Sequence, residues 1–400
     1  MQWQKISKRI LKRQIPHALL SWRYILPGQS IAVKLHRKIF LSAWPDQSRA
    51  TWFLVALYSY TLWYLIYSWR HVFRDWKNYG NALKRQEGIS NGHQLFSLLS
   101  LALLHSIPPR FYYHYRLYSY PREEWLKFIY THELPHWHMV MSRSISETSK
   151  QLMVDKHLFS VHMRTLDLPT ITTLDCLAPG QESGEMSVFN QRSVFLKPCK
   201  GSAKRGCYRL LYEDDTNDYS LITGNSKPIQ GKETIASFLR AELQQYDYLV
   251  QPLLRNHEWL RAEGALITIR LVTLMRHGIP KSICATLEVP IHDDLQEVYL
   301  LVIDCNSGLI IDTPSALLKK RGITETLINK NIVNAHLPQW NKIKDIVEKA
   351  HSECIDITTI GWDLALTTDG IKLLEGNTNW GVYAHQRLDN KLIENFASML

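Results

Sequence analysis

The chain has 400 residues, 45% of them hydrophobic, which is enough for two or three packed domains and too apolar for global disorder. Its formal charge of +10 is uneven: Met1 to Lys150 hold 21 Lys and Arg against 7 Asp and Glu, and the other 250 residues hold 26 against 30. Any acidic partner, whether anionic lipid, acidic polymer or nucleic acid, therefore belongs to the N-terminal region.

Residues 1–150 read as a basic, mostly helical region. Charges interrupt Met1 to Arg13, so no signal peptide is expected there. In Trp3–Ile15 the residues Trp3, Ile6, Ile10, Leu11 and Ile15 share one half of a helical wheel, and Lys5, Lys8, Arg9, Lys12 and Arg13 share the other. That is either an interfacial amphipathic helix or a surface helix with a solvated basic face. Ala50–Trp69 is an uncharged run of 20 residues followed by Arg70, Arg74 and Lys77. It is long enough to span a bilayer, but its Tyr, Ser and Trp content favours a buried helix, with an interfacial helix as the next reading. Gln94–His105 predicts a buried helix stopped by Pro108-Pro109. The aromatic Phe111–Tyr120 could stack on bases, but packing within a helical domain is the expected use, and nucleic acid is not an expected partner.

From about Gln151 to Leu400 the texture changes to short β-branched runs. They are Val194–Leu196, Tyr208–Tyr212, Tyr248–Val250, Ile267–Leu274, Ile283–Val289, Val298–Ile303, Leu309–Ile311, Trp362–Leu366 and Ile371–Leu374. Helical patterns intervene at Gln151–Leu166, Lys232–Gln245 and Pro338–Cys354. Without a regular βαβ rhythm this predicts an α+β domain with largely antiparallel sheet. The six cysteines form no CxxC pair, and His351 before Cys354 has no second pair to complete a zinc pattern. Buried free thiols in a reducing compartment are expected.

The strongest chemical signal is GWDLALTTDGIKLLEGN, Gly361–Asn377. A three-residue turn, Thr368-Asp369-Gly370, would set Thr367 opposite Ile371 and Asp363 opposite Glu375. By period-two alternation Asp363, Glu375 and Asn377 then share one face with Ala365 and Leu373, while Lys372 points away. Two carboxylates and an amide form an all-oxygen site suited to Mg²⁺ or Mn²⁺ with phosphate oxygens. The second signal is VFLKPCKGSAKRGC, Val194–Cys207, where a strand ends in Lys197 before a basic loop between Gly201 and Gly206. Alone it is a basic surface turn; with the acidic hairpin it suggests phosphate.

The order Asp155-Lys156, Lys197-Pro198 with its glycine loop, Tyr248-Leu-Val-Gln251-Pro, Thr268-Ile-Arg270 and Asp363…Glu375-x-Asn377 resembles the ATP-grasp superfamily. Within it the chain is most similar to the sugar-transfer-associated ATP-grasp proteins. The resemblance implies two α+β subdomains sandwiching ATP. Lys156 and Lys197 would touch the phosphates, with Gly201 and Gly206 in the loop over them. Val250 and Gln251 would meet adenine, Glu258 the ribose and Arg270 the transferred phosphate. Asp363, Glu375 and Asn377 would hold Mg²⁺. It further implies an ATP-dependent carboxylate–amine ligase working through an acyl phosphate, with small-molecule carboxylate and amine substrates, sugar-linked in polysaccharide modification. An ATP-grasp kinase acting on a hydroxyl, or a nucleotide-binding regulator docked on a membrane, are the alternatives. The expected location is cytoplasmic, with an anionic membrane surface or acidic polysaccharide as partner of the N-terminal region. Four residues separate Gly201 from Gly206, fewer glycines than many such loops carry.

Overall fold

The computed structural model describes residues 21–42, 49–178, 188–200, 206–223, 227–260, 265–291, 294–312, 332–388 and 391–399. They divide into two units. The first takes the described residues through Arg143 and those from Gly381 on; the second takes those of Ser144–Asp312 and Thr324–Trp380. The segment from Gly381, which the sequence assigned to the second region, groups with the first. The Trp3–Ile15 helix and Gly201 lie outside the described residues.

The first unit is helical: α1 (Ile31–Ser42), α2 (Arg49–Leu62), α3 (Ser68–Glu87), α4 (Asn91–Leu104), α5 (Arg110–His114) and α6 (Leu134–Met141). A π-helical turn, Trp63–Tyr67, joins α2 to α3 without a break. Helix α3 stops at Gly88, whose φ of 71° only glycine adopts without strain, and Ser90 caps α4 through the His93 N–H. Aromatic residues make the core. Tyr112, Tyr113 and Tyr115 are buried with Trp63, Trp125 and Phe128, so the Phe111–Tyr120 run is used for packing. Gln94, buried in α4, is satisfied by Tyr113 and by the carbonyls of Gly80 and Ile89. His36 and Glu133 form a fully buried pair at 3.0 Å. Burial opposes charge on His36, but Glu133 and the Leu126 and Phe128 backbone together raise its pKa above the ordinary value.

The buried-helix expectation for Ala50–Trp69 holds for one face only. Trp63 is buried and donates to the Ala102 carbonyl at 2.9 Å, and Tyr64 donates to Leu103 at 2.6 Å. Phe53, Leu54 and Leu65 point outward, exposed by 59%, 61% and 71%. Among the described residues no helix is long and apolar enough to cross a membrane.

The second unit holds two six-stranded sheets, and every pairing between their strands is antiparallel. One runs β1-β6-β2-β3-β4-β5, from β1 (Asp175–Leu177), β2 (Val194–Pro198), β3 (Tyr208–Glu213), β4 (Asp218–Ile222), β5 (Ile229–Gln230) and β6 (Tyr248–Pro252). Helix Lys232–Leu243 lays Ile235, Leu239 and Leu243 into its core. The other runs β10-β9-β8-β7-β11-β12, from β7 (Thr268–Arg276), β8 (Ile279–Ile291), β9 (Asp294–Ile303), β10 (Ile310–Ile311), β11 (Thr359–Thr367) and β12 (Gly370–Asn377). His277-Gly278, both at positive φ, close the two-residue turn from β7 to β8. Helix Trp340–Ser352 packs on β7 and β8.

Each β-branched run of the sequence is found as a strand, within a few residues. The short β1, β4 and β5 were not anticipated, because two or three residues carry too little periodicity and Asp218-Tyr219-Ser220 reads as a turn. The expected Gln151–Leu166 helix is two helices, Glu147–Val154 and Lys156–Thr165. Asp155 divides them: its carboxylate accepts from the His157 and Leu158 N–H groups and so starts a new helix.

Candidate active site

The hairpin β11–β12 carries the acids, and its register departs from expectation near the turn. Thr367 faces Gly370, leaving a two-residue loop, Thr368-Asp369, with Gly370 at φ 89°. A bulge between Asp363 and Leu364 then leaves Leu374 as an extra residue, which restores the Asp363–Glu375 pairing. The expectation for Lys372 is corrected by the same slip: Lys372 stands opposite Ala365, on the acids' side, and Leu373 stands opposite Leu364. The shorter turn shifts every partner by one residue until the bulge shifts it back.

Asp363, Glu375 and Asn377 converge. The Asn377 amide nitrogen lies 3.3 Å from Asp363 Oδ2 and 3.2 Å from Glu375 Oε1. Across the other edge of β11, Arg270 on β7 is the direct partner of Asp363, and its guanidinium grips both carboxylate oxygens, Nη2 to Oδ2 at 2.9 Å. Lys156, the first residue of its helix, reaches Glu375 Oε2 at 3.9 Å, and its N–H donates to the Cys199 carbonyl at 3.2 Å. The helix break at Asp155 therefore places a cation on the hairpin and ties it to the end of β2. Lys197, also near the end of β2, is buried.

These groups hold one another's charge. Burial lowers the Lys197 ammonium, partly offset by Glu375. Burial alone would raise the Glu375 carboxyl, but Lys156 and Lys197 hold it below the usual range. Burial pushes the Asp363 carboxyl up, with Glu375 and Glu288 adding to the rise against the pull of Arg270.

Not all expected site residues join this cluster. Val250 and Gln251 are buried on β6, between β1 and β2. The Val250 carbonyl accepts the Leu174 N–H at 2.8 Å, so its backbone is engaged and the free edge begins beyond it. Gln251 Oε1 is buried without a hydrogen-bond partner among the described residues. Gly206 has φ 72°, and a Cβ there would stand 3.0 Å from the Tyr248 hydroxyl. Glu258 is exposed on a short turn, and among the described residues no ion pair or hydrogen bond links it to the acids.

Three further residues matter here. Glu288 on β8 lies 3.8 Å from Arg270 and stands opposite Thr268. Its sequence signal was a lone carboxylate inside an apolar strand run. Gly361 and Gly376 are small because space is lacking: a Cβ would come within 2.9 Å of Trp380 Cβ at the first and of Met153 Sδ at the second. Beneath the hairpin, Trp362 donates to Thr273 Oγ1 at 2.7 Å, and Thr273 meets His351 Nδ1 at 2.7 Å. His351 is thus a structural histidine. All six cysteines are free thiols, two buried and four half-buried.

Residues 141–395 match the family model for sugar-transfer associated ATP-grasp proteins. The chain belongs to this ATP-grasp family. Its second unit, an α+β arrangement of two antiparallel sheets with packed helices, is the ATP-grasp fold. Among curated proteins none matches the sequence. Solved structures that resemble it include ATP-grasp ligase PsnB, complexed with a phosphomimetic variant of its minimal precursor, Mg and ADP. That likeness is 14% identical, with TM-score 0.35, over 66% of this chain and 65% of that one. D-cycloserine synthetase DcsG is 12% identical, with TM-score 0.39, over 67% and 80%. D-alanyl-alanine synthetase A from Vibrio cholerae O1 biovar eltor is 13% identical, with TM-score 0.36, over 62% and 67%. The chain thus spans just under two thirds of the PsnB ligase's length.

The donor set suits the metal of such a site. Among the described residues no three His, Cys, Asp or Glu side chains form a metal-binding group, so protein carboxylates alone would not complete a shell. Two carboxylates and an amide are hard oxygen donors that leave positions for phosphate. Asn377 turns its NH₂ toward both acids, and a half-turn about its last side-chain bond would offer its oxygen instead.

Proposed function

We propose that this ATP-grasp chain is an ATP- and Mg²⁺-dependent carboxylate–amine ligase. The observation that carries the reading is the meeting of Lys156, Lys197 and Arg270, from three separate elements, with the acid pair Asp363–Glu375 in one unit. A merely structural salt-bridge network does not need an amide between its acids.

In this reading Asp363, Glu375 and Asn377 hold Mg²⁺ (or Mn²⁺), which supplies charge neutralisation at the phosphates. Lys156 and Lys197 bind phosphate oxygens, with backbone N–H groups of the Gly201–Gly206 segment as further donors to them. Gln251 and the strand end after Val250 take the adenine, whose amine suits the unpaired Gln251 oxygen. Glu258 holds the ribose. Arg270 faces the transferred group, drawn by charge from its carboxylate partner. An oxygen of the substrate carboxylate attacks the γ-phosphorus, and ADP leaves. The amine then attacks the acyl carbon, phosphate departs, the nitrogen loses a proton, and an amide remains. The family's association with sugar transfer points to a uronic acid, an amino sugar or an amino acid joined to one. The free thiols fit work in the cytoplasm.

The test is mass spectrometry of Mg-ATP incubations with panels of uronic acids and amino acids. Expected is a condensed product matched by ADP and dependent on both partners. ADP formation with a phosphorylated product and no amine requirement would replace the ligase with a kinase.

A further inference from the structure

The first unit carries a feature that ATP chemistry does not use. From Arg49 to Glu87 the chain is one helical rod, α2, the π turn and α3. One side is buried: Trp63, Ser68, Val72 and Leu83 turn inward. The other side exposes Phe53, Leu54, Leu57, Leu65, Trp69 and Phe73, each by 43% or more. These residues recur at helical spacing on both sides of Trp63–Tyr67. The π turn Trp63–Tyr67 carries Leu65 and links the two exposed stretches without a break in the rod. The stripe from Phe53 to Phe73 is about 30 Å long at helical rise.

Lone exposed apolar residues need no explanation, but a contiguous stripe of large ones does. What would cover it is indicated by charge. Arg70, Arg74 and Lys77 are exposed at the stripe's C-terminal end. Residues 1–77 hold 13 Lys and Arg against Asp46 and Asp75, the latter paired with Arg74. A Trp, Phe and Leu face bordered by cations matches the boundary between acyl chains and anionic headgroups. The buried opposite side argues against spanning: Trp63 and Tyr64 are hydrogen-bonded to α4, so only one face is free to enter lipid.

We propose that the Phe53–Phe73 face docks flat on an anionic bilayer and holds the enzyme at a membrane surface. The docking does not depend on which bond the second unit forms.

The experiment is flotation of the full chain with vesicles of phosphatidylcholine alone or mixed with phosphatidylglycerol. Wild type should float with the mixed vesicles and not with the neutral ones, and should be released as salt rises, since such attraction is screened within about 8 Å at physiological ionic strength. The triple variant Leu57→Gln, Leu65→Gln, Phe73→Gln changes exposed positions only. It should melt as wild type does and lose about tenfold or more in vesicle affinity, the scale for withdrawing one large apolar side chain from lipid. Arg70→Gln with Lys77→Gln should reduce the anionic preference, and it keeps the test decisive if the triple variant fails to fold. Equal flotation of wild type and both variants would overturn the proposal, as would equal binding to neutral vesicles. So would a wild type that ignores vesicles but self-associates through a contact the triple variant abolishes, which would make the stripe a protein interface.

Discussion

The two units bury charge in opposite ways. In the helical unit, one pair, His36 with Glu133, is sealed among aromatic rings and hydrogen-bonded by Trp137 and the Leu126 carbonyl. It joins α1 to the start of α6. That pair is held by the ring and backbone groups around it. In the sheet unit, Lys156, Lys197, Arg270, Asp363, Glu375 and Glu288 form a larger cluster, with Lys197 and Asp363 buried and the others half-buried, and the acids' pKa values are driven apart. Several charges share this one cluster, and together they shift Lys197, Asp363 and Glu375.

The largest expected effect is at the acids. Glu375→Gln is nearly isosteric and removes one negative charge, so metal-dependent turnover should fall by orders of magnitude while the melting temperature changes little. Asp363→Asn should lose as much turnover and also stability, because it leaves the Arg270 guanidinium in a buried site with half its partner; breaking such a pair costs about 3–5 kcal/mol. Steady-state kinetics and thermal melts on both variants check this. Equal turnover loss without the difference in melting would mean the Arg270 grip does not hold in solution.

Next is Lys197→Met. The ammonium is buried and its pKa is lowered by that burial, so the replacement should be neutral or stabilising to the fold. The KM for ATP should rise and turnover drop, together by roughly ten- to hundredfold, the worth of a charge-assisted hydrogen bond. Unchanged kinetics would reduce Lys197 to a packing residue.

A smaller effect separates the helical unit from the site. His36 has a raised pKa in the folded state, so its contribution to stability is complete below its ordinary value near 6.5 and is lost as pH climbs through the folded value. Glu133→Gln removes the raising charge and leaves burial, which lowers. The slope should then invert: the variant becomes less stable as pH falls through the ordinary range. Melting curves from about pH 5 to 8 on both proteins, with ATP binding followed in parallel, should show the inversion with nucleotide affinity unaffected. The smallest effect is Asp369→Asn in the hairpin turn, where Asn tolerates the same loop. Turnover and melting should both match wild type.

Much of this was legible in the sequence, because strands announce themselves through local alternation. Thr268–Arg276, Thr359–Thr367 and the Asp363–Glu375 pairing were all accessible that way. The pairing was reached with a turn one residue too long, and the unseen bulge at Leu374 compensated. Glu288 was not anticipated: it meets Arg270 only through sheet pairing, and Arg270 meets Asp363 across 93 positions of sequence, beyond any local pattern. Asp155 was read as part of a helix because periodicity on both sides hid a side chain that competes for backbone N–H groups. The exposed face of α2 was misjudged for a related reason. An uncharged run signals burial against something, and composition alone does not say whether that something is protein.

The bulge at Leu374 has a mechanical meaning of its own. In an uninterrupted ladder, any slip at the turn travels to the far end and would swing Asp363 away from Glu375. An extra residue midway acts as a dislocation does in a crystal, ending one lattice phase and beginning another. The hairpin therefore has two independently set lengths, a short one that closes the turn and a longer one that aligns the acids against Arg270. The turn and the bulge together, not the turn alone, set Asp363 opposite Glu375.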